Sequence, residues 1–343
     1  MRGDRILLAH GSGGKLSSEL IQEIFFPAFG NPALARMDDS AVLPLPLGKG
    51  QGEGSRLAMS TDSHVVKPLF FGGGDIGRLA VCGTVNDLAM VGATPLYLAA
   101  GFILEEGLLL ADLRRVVASM KEAAAEAGVS VVTGDTKVVE QGGADWLYVT
   151  TTGVGIVSDG VNVSGSNARA GDVVLLSGSI GDHGIAVLSR REGLEFGSPV
   201  TSDVAPLNHM VAAMLEAAPH LRALRDPTRG GLATTLNEFA AQSGVSIQIE
   251  EAQILVRPAV QAACEMLGYD PLYVANEGKL VAIAPEEEAE AALSAMRRTR
   301  YGEDARIIGR VLPSPTGRVL MKTRIGGTRI VQMLMGEMLP RIC

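Results

Sequence analysis

Cysteine is scarce: the 343 residues contain three, Cys82, Cys264 and Cys343. No two stand close together, which excludes a disulfide scaffold and a zinc knuckle. Aromatic residues make up only 4% of the chain, with a single tryptophan. Basic residues are outnumbered, 30 against 38 acids, for a net charge of −8. Without basic surface or stacking side chains, the sequence lacks what nucleic-acid binding normally requires. Long apolar runs are missing too. None approaches the roughly 18 residues of a membrane helix, and the run at 6–9 is far too short for the core of a signal peptide. These absences point to a cytoplasmic protein bound to neither nucleic acid nor membrane. What the sequence does have is apolar content, 47%, enough for sizeable cores. It also has 42 glycines without a short repeat, which points to tight turns and close approaches of backbone to a ligand.

The length suits two domains. Leu16, Leu20, Ile24 and Phe25 recur at helical spacing and predict a helix over 15–26. Strands are expected at 41–45, 57–61, 96–104, 129–133 and 146–156, with helices at 75–91 and at 112–127, the latter stopped by Gly128. A polar Gly/Ser/Asn stretch at 158–171 reads as a linker. Beyond it, strands at 172–177, 245–249 and 279–284 and helices at 204–217, 232–242, 258–267 and 286–300 make a second unit. The interruptions do not follow strict βαβ alternation, which favours α+β. The expected boundaries are 1–157, 168–328 and a mobile tail over 329–343. That tail has a short apolar face (Ile330, Val331, Leu334, Met335, Met338) before Pro340-Arg341-Ile342-Cys343.

Several clusters could carry chemistry. His10-Gly11-Ser12-Gly13-Gly14-Lys15 opens a helix, so backbone N–H groups, a helix N-terminus and a lysine converge as they would around a phosphate. It is not a Walker A loop, because Ala9 stands where that loop has its first glycine, and a flexible turn is the structural alternative. Gly72-Gly73-Gly74-Asp75-Ile76-Gly77 matches G-x-G-x-x-G, but a poor strand precedes it, so a glycine turn with Asp75 capping a helix is the better reading. Aspartates are more informative. Asp39 follows Asp38 before a strand, Asp62 ends a strand, Asp87 lies in an apolar helix beside Asn86, and Asp135 ends another strand. Such placements are expensive unless a cation pairs with them, and Mg²⁺ takes a few carboxylates together with phosphate oxygens. Each aspartate alone reads as a cap or turn; together with the Gly-rich loop they favour a metal-nucleotide site. Asp226-Pro227-Thr228-Arg229-Gly230-Gly231 and Asn276-Glu277-Gly278-Lys279 add acids at a helix start and a turn. The histidines have no ligand spacing. Cys343 is the unusual cysteine, since a core role is hard to give to a last residue behind a proline.

Read in order, these motifs resemble the HypE family of [NiFe]-hydrogenase maturation factors, within the superfamily of aminoimidazole-ribonucleotide (AIR) and selenophosphate synthetases. The resemblance rests on residues 10–15, 37–41, 60–63, 72–77, 85–90, 133–137, 226–232 and the Pro340-Arg341-Ile342-Cys343 ending. Ser12 stands where selenophosphate synthetases usually carry cysteine or selenocysteine. The family implies an α+β, two-domain AIR-synthetase-like fold, each domain a mixed or antiparallel sheet with helices on one side, plus a flexible tail. It implies a homodimer formed through the N-terminal domains, binding ATP and Mg²⁺. A HypF carbamoyltransferase would place a carboxamide on Cys343, which this protein would dehydrate to a thiocyanate, and a HypC–HypD complex would receive the cyanide. By the same resemblance, Gly11, Ser12, Gly13, Gly14, Lys15, Asn86, Gly134, Asp135 and Thr136 would bind nucleotide. Asp39, Asp62, Asp87 and Asp226 would hold the metal, and Glu277 and Lys137 would activate and orient the carboxamide. The competing readings are a superfamily kinase acting on a free small molecule and an ATP-binding scaffold.

Overall fold

The computed structural model describes residues 5–11, 14–45, 54–194, 199–313, 317–334, 336 and 343. Ser12 and Gly13 of the Gly-rich loop lie outside these residues, as do Met335, Met338, Pro340, Arg341 and Ile342 of the tail. The helix expected over 15–26 is a longer composite: α1 (Lys15–Leu20), a π-helical turn (Ile21–Phe25) and α2 (Phe26–Phe29). Pro27 directly follows the π-helical turn and, having no N–H, interrupts the helical hydrogen-bond ladder there.

The first sheet comes from β1 (Ala41–Pro44), β2 (Arg56–His64), β5 (Ala93–Glu105), β6 (Ser130–Val139) and β7 (Leu147–Val157), in the order β1-β2-β7-β5-β6. Only β5 and β6 run parallel. Two helices, α3 (Ile76–Met90) and α4 (Leu110–Ala127), cover one face. Ile76, Leu79, Ala80 and Val85 of α3 pack with Leu98, Ala100, Leu147 and Val149 of the sheet and with Val116 and Met120 of α4. Met59, Tyr97 and Ile103 are exposed, and β6, at the sheet edge, is exposed along nearly its whole length.

The 72–77 glycine motif is a turn and a cap. It forms a small hairpin, β3 (Phe70–Phe71) with β4 (Gly74–Asp75), leading into α3. Asp75 Oδ1 accepts from the N–H groups of Gly77 (2.7 Å) and Arg78 (3.1 Å). A Cβ on Gly77 would lie 2.4 Å from the Val116 carbonyl oxygen, so glycine is what lets α3 and α4 approach. Asp75→Ala should therefore cost about 1–2 kcal/mol and Asp75→Asn much less, because Asn also caps. Thermal unfolding checks this, at about 2–4 °C per kcal/mol.

The second sheet has the order β14-β13-β10-β12-β8-β11-β9. Its elements in chain order are β8 (Val173–Leu176), α5 (Asp182–Glu192), α6 (Asn208–Ala217), β9 (Ala223–Arg225), α7 (Gly231–Ser243), β10 (Ser246–Glu250), α8 (Pro258–Leu267), β11 (Val281–Ala284), α9 (Glu286–Arg297), β12 (Arg306–Leu312), β13 (Val319–Lys322) and β14 (Thr328–Val331). Helices on a single side hold for the first sheet but not for this one. Val173 and Leu175 of β8 and Ala282 of β11 pack with residues of α6 and α9. Val174, Leu176, Val281 and Ile283 pack with Leu232, Leu236 and Phe239 of α7 on the opposite face. Strands buried on both faces read as continuous apolar runs, without alternation to reveal the second layer.

Two further expectations are corrected. The helix expected from 204 begins at Asn208, because Pro206 disfavours helical backbone at the residue before it. The tail does not begin at 329: β14 pairs with β13 from Thr328 to Val331 and extends the sheet. Among the described residues no helix is long and apolar enough to cross a membrane.

Candidate active site

A cavity of about 430 Å³ opens between the two sheets, lined among others by Asp39, Asp62, Asp87, Asp226, Arg229, Glu277 and Cys343. Each comes from a different part of the fold. Asp39 precedes β1, Asp62 lies on β2, Asp87 on α3, Asp226 follows β9, Arg229 leads into α7, and Glu277 sits before β11.

Met37 adopts a left-handed φ of 52°, unusual for a residue with a Cβ. Its carbonyl accepts from Arg225 Nη2 (2.8 Å) and Gln242 Nε2 (3.2 Å). Asp38 turns away from the cavity and accepts from Arg36, Ser164 and Gly165. Asp39 turns in, 2.9 Å from Arg225 Nε, whose Nη1 meets Glu238 at 2.6 Å.

Burial raises Asp39 to about 6, against the pull of Arg225. Burial, Asp226 and Asp62 push Asp87 well above the usual carboxylate range, although Ser60 Oγ donates to it at 2.6 Å. Asp226 is pushed up to about 8 by burial and by Asp39. Glu277 is raised well above its ordinary value by burial, then Asp226, Asp62 and Asp203, and its Oε1 is buried without a hydrogen-bond partner. The common cause is excess negative charge in a water-poor space, which a divalent cation relieves. Among the described residues no three acidic, histidine or cysteine groups form a ready metal cage. Mg²⁺ completes its shell with water and phosphate oxygens and does not require one. The donor set therefore fits a Mg²⁺ that arrives with phosphate.

The displaced carboxylates carry a stability prediction. Because the folded-state values of Asp39 and Asp226 lie above the ordinary one, their contribution is full below about pH 4 and is lost as pH rises through about 6 and about 8. Asp226→Asn removes one of the repelling groups. In metal-free buffer it should raise the unfolding midpoint, with a gain that grows from about pH 5 to about pH 8 and reaches several degrees. Thermal scans across that range check it. Added Mg²⁺ should narrow the gap, because the cation stabilises the parent more than the variant.

Cys343 is half-buried, and its Sγ accepts from Arg229 Nε at 3.3 Å. Burial pushes its thiol up to about 11, which Arg229 only partly opposes and Glu277 reinforces. Arg229 also lies 3.5 Å from Asp62. The turn carrying Glu277 is fixed by close packing: a Cβ on Gly278 would sit 1.8 Å from the Asp203 carbonyl oxygen, and the Glu277 N–H donates to Asp203 Oδ1 at 3.1 Å.

Other expected site residues stand elsewhere. Asn86 is fully buried, and its amide donates to the carbonyls of Ala205 and Glu277 and accepts from the Leu207 N–H. It ties the two halves together, with both amide hydrogens engaged by those carbonyls. Gly134, Asp135, Thr136 and Lys137 lie on edge strand β6, not at its end, and do not line the cavity. Gly134 is required by strand packing, since a Cβ there would meet the Ala100 carbonyl oxygen at 2.2 Å. Lys137 and Asp135 pair with each other at 2.7 Å, both 70% exposed. Gly11 closes a 3-10 turn. Gly14 has a left-handed φ of 79°, and beside it the Lys15 N–H donates to the Leu334 carbonyl at 3.1 Å. Lys15 itself pairs loosely with Glu19, at 3.9 Å.

Sequence reasoning missed Arg225 and His64. Arg225 is the counter-charge for Asp39, and its place directly before Asp226 was the available signal. His64 is buried, with neither ring nitrogen hydrogen-bonded and Nε2 3.6 Å from Asp62. Burial lowers its pKa, and nothing in its sequence spacing marked it.

Family models match both halves of the chain: AIR synthase related protein, N-terminal domain, over 37–157 and AIR synthase related protein, C-terminal domain, over 169–322. The chain is 56% identical over 343 residues to the carbamoyl dehydratase HypE of Cupriavidus necator, covering 100% of this chain and 96% of that one. Among solved structures, a hydrogenase maturation protein HypE in complex with ATP is 51% identical with a TM-score of 0.81, covering 99% of this chain and 100% of the other. The HypE of a HypE–HypF complex is 49% identical with a TM-score of 0.86, covering 92% of this chain and 99% of the other.

Proposed function

From the premise that the chain belongs to the HypE family of AIR synthase related proteins, we propose that it is an ATP-dependent carbamoyl dehydratase acting on its own C-terminus. The substrate is an S-carboxamide on Cys343 and the product an S-cyanate, the source of cyanide for the iron of [NiFe]-hydrogenase. One observation carries this reading: the last residue's thiol sits in the same cavity as Asp39, Asp62, Asp87, Asp226 and Glu277.

An amide does not lose water unaided, because hydroxide is a poor leaving group. Attack of the carboxamide oxygen on the γ-phosphorus of ATP forms a C–O–P linkage and releases ADP. Loss of the amide protons then forms C≡N as the C–O bond breaks and phosphate leaves. The sum is RSC(O)NH₂ + ATP → RSCN + ADP + phosphate + H⁺. Phosphoryl transfer needs positioning and charge neutralisation more than covalent help. Asp39, Asp87 and Asp226, with Asp62, would hold a Mg²⁺, whose charge would let these buried carboxylates ionise and would offset that of the phosphate oxygens. Glu277, in its ionised form, takes an amide proton. Arg225 holds Asp39 in place. The phosphates fall to Gly11, Gly14 and Lys15 of the Gly-rich loop, whose Ser12 and Gly13 lie outside the described residues.

Two copies make the working unit. Support comes from β6, an exposed sheet edge with Val131, Val132 and Val138 open to solvent; such edges are normally covered. Pairing there gives Lys137, Asp135, Thr136 and Gly134 a role toward the second copy's cavity that they lack within one chain. The carboxamide arrives from a HypF carbamoyltransferase, a reading supported by the relative solved in complex with HypF, and the cyanide passes to a HypC–HypD complex. A carrier thiol must stay reduced, which fits the cytoplasm.

The test is cyanide release. Carboxamidated protein given Mg-ATP and then excess thiol should liberate one cyanide per ADP formed. ADP formation without cyanide would favour a kinase for a free small molecule, and neither product would favour a scaffold.

A further inference from the structure

The end of the chain is held at two points. The Val65 N–H, just past the end of β2, donates to the terminal main-chain oxygen of Cys343 at 3.3 Å. Arg229 Nε donates to Cys343 Sγ, also at 3.3 Å. Val65 and Arg229 belong to opposite halves of the molecule, so the last residue is gripped across the cleft. That main-chain oxygen belongs to the α-carboxylate, a group present only on a last residue. A backbone N–H directed at it is a charge-assisted bond that any extension of the chain would convert to an ordinary amide contact while adding bulk in the cavity.

Arg229 is itself anchored. Asp62 lies 3.5 Å from its Nη2, and its residue position immediately precedes the two left-handed glycines, Gly230 (φ 74°) and Gly231 (φ 58°), that open α7. A Cβ on Gly231 would meet the Leu272 carbonyl oxygen at 2.6 Å. The backbone carrying Arg229 is thus fixed by packing, and its guanidinium is set between a metal-side aspartate and the sulfur.

We propose that the Val65 N–H and Arg229 form a receiving site that reads a free C-terminal cysteine, Val65 taking the terminal carboxylate and Arg229 the sulfur that carries the carboxamide. This rests on the dehydratase reading and adds a specificity rule to it: only a cysteine at the last position is aligned for phosphoryl transfer. Arg229 is a positioning residue. It acts by placing Sγ, so that a group attached to the sulfur projects among Asp62, Asp87 and Glu277, which share the cavity with it.

Docking is measured without catalysis by the rate at which a thiol reagent alkylates Cys343. Cys82 and Cys264 are fully buried and do not compete. In the full-length protein, Arg229→Gln should raise that rate about tenfold, as for loss of one hydrogen bond to a charged group, and Arg229→Lys should raise it less. One glycine appended after Cys343 should raise it similarly. The lysine variant and the glycine-extended chain should not move the unfolding midpoint by more than a degree or so, which separates lost docking from lost folding. Carboxamidated forms of the glutamine and glycine-extended proteins should then lose water more slowly than the parent, by at least the same factor, with Mg-ATP affinity unchanged in the extended chain. Alkylation rates equal to the parent's, or normal dehydration in the extended chain, would overturn the receiving site. If the parent itself never loses water, the dehydratase reading fails, while the alkylation rates still decide whether the terminus is read.

Discussion

Cys343→Ala should abolish S-cyanate formation completely while Mg-ATP still binds. Cys343 is the attachment point of the substrate, so its loss removes the reacting group and not merely a contact. No other cysteine can substitute: Cys82 and Cys264 are fully buried, their thiols pushed up to about 12 and about 11 by that burial. Both lie in the apolar core that runs from α3 and the first sheet to α5 and α8, where they behave as small hydrophobes. Nucleotide affinity should be kept because the proposed metal ligands Asp39, Asp62, Asp87 and Asp226 are untouched. Titration calorimetry with Mg-ATP and an assay for released cyanide check the two halves of this expectation. Cyanide still produced by the alanine variant would remove Cys343 from the reaction.

The second large effect falls on Glu277. Replacing it by Gln keeps the shape and deletes the base, so the single-turnover rate of dehydration should fall about 100- to 10,000-fold, the usual range for loss of a general base. Stability should hold or improve, because the variant removes a buried acid repelled by Asp226, Asp62 and Asp203. The pH dependence has a definite sign. A carboxyl group held well above its ordinary range acts as a base only after losing its proton, so the parent's rate should rise with pH in the region where Glu277 ionises. The residual rate of Glu277→Gln should lack that rise. Rapid-quench measurements of S-cyanate formation check both features, with ADP followed separately to distinguish phosphoryl transfer from elimination. A glutamine variant as fast as the parent would assign the base elsewhere.

Much of the site was legible in the sequence because its acids sit in conspicuous places. Asp87 interrupts an apolar helix, Asp62 lies on a strand, and Asp226 precedes a Gly-Gly helix start. The cost of burying a carboxylate makes such positions informative even before their neighbours are known. Cys343 was legible because a chain end rarely offers a core position. What could not be read was which residues meet across the fold. Asn86 adjoins Asp87 in sequence, but its side chain turns to Ala205, Leu207 and Glu277 and braces the two halves. Asp135 reads as the end of a strand, whereas β6 continues to Val139 as an open edge. The three-residue β9 is too short to show a period, and α5 begins with Asp182-His183-Gly184 after a left-handed Gly181, which hides its helical pattern. The second helical layer on the second sheet was invisible for the opposite reason, since strands buried on both faces carry no alternation at all.

The central claim is that Cys343 carries the substrate and that ATP drives its dehydration. Mass spectrometry of the C-terminal peptide tests it most directly, after loading by an active carbamoyltransferase with carbamoyl phosphate and then before and after Mg-ATP. The account predicts a carboxamide on Cys343 that loses the mass of one water only when ATP is present. A carboxamide that persists unchanged with ATP bound and Mg²⁺ supplied would contradict it.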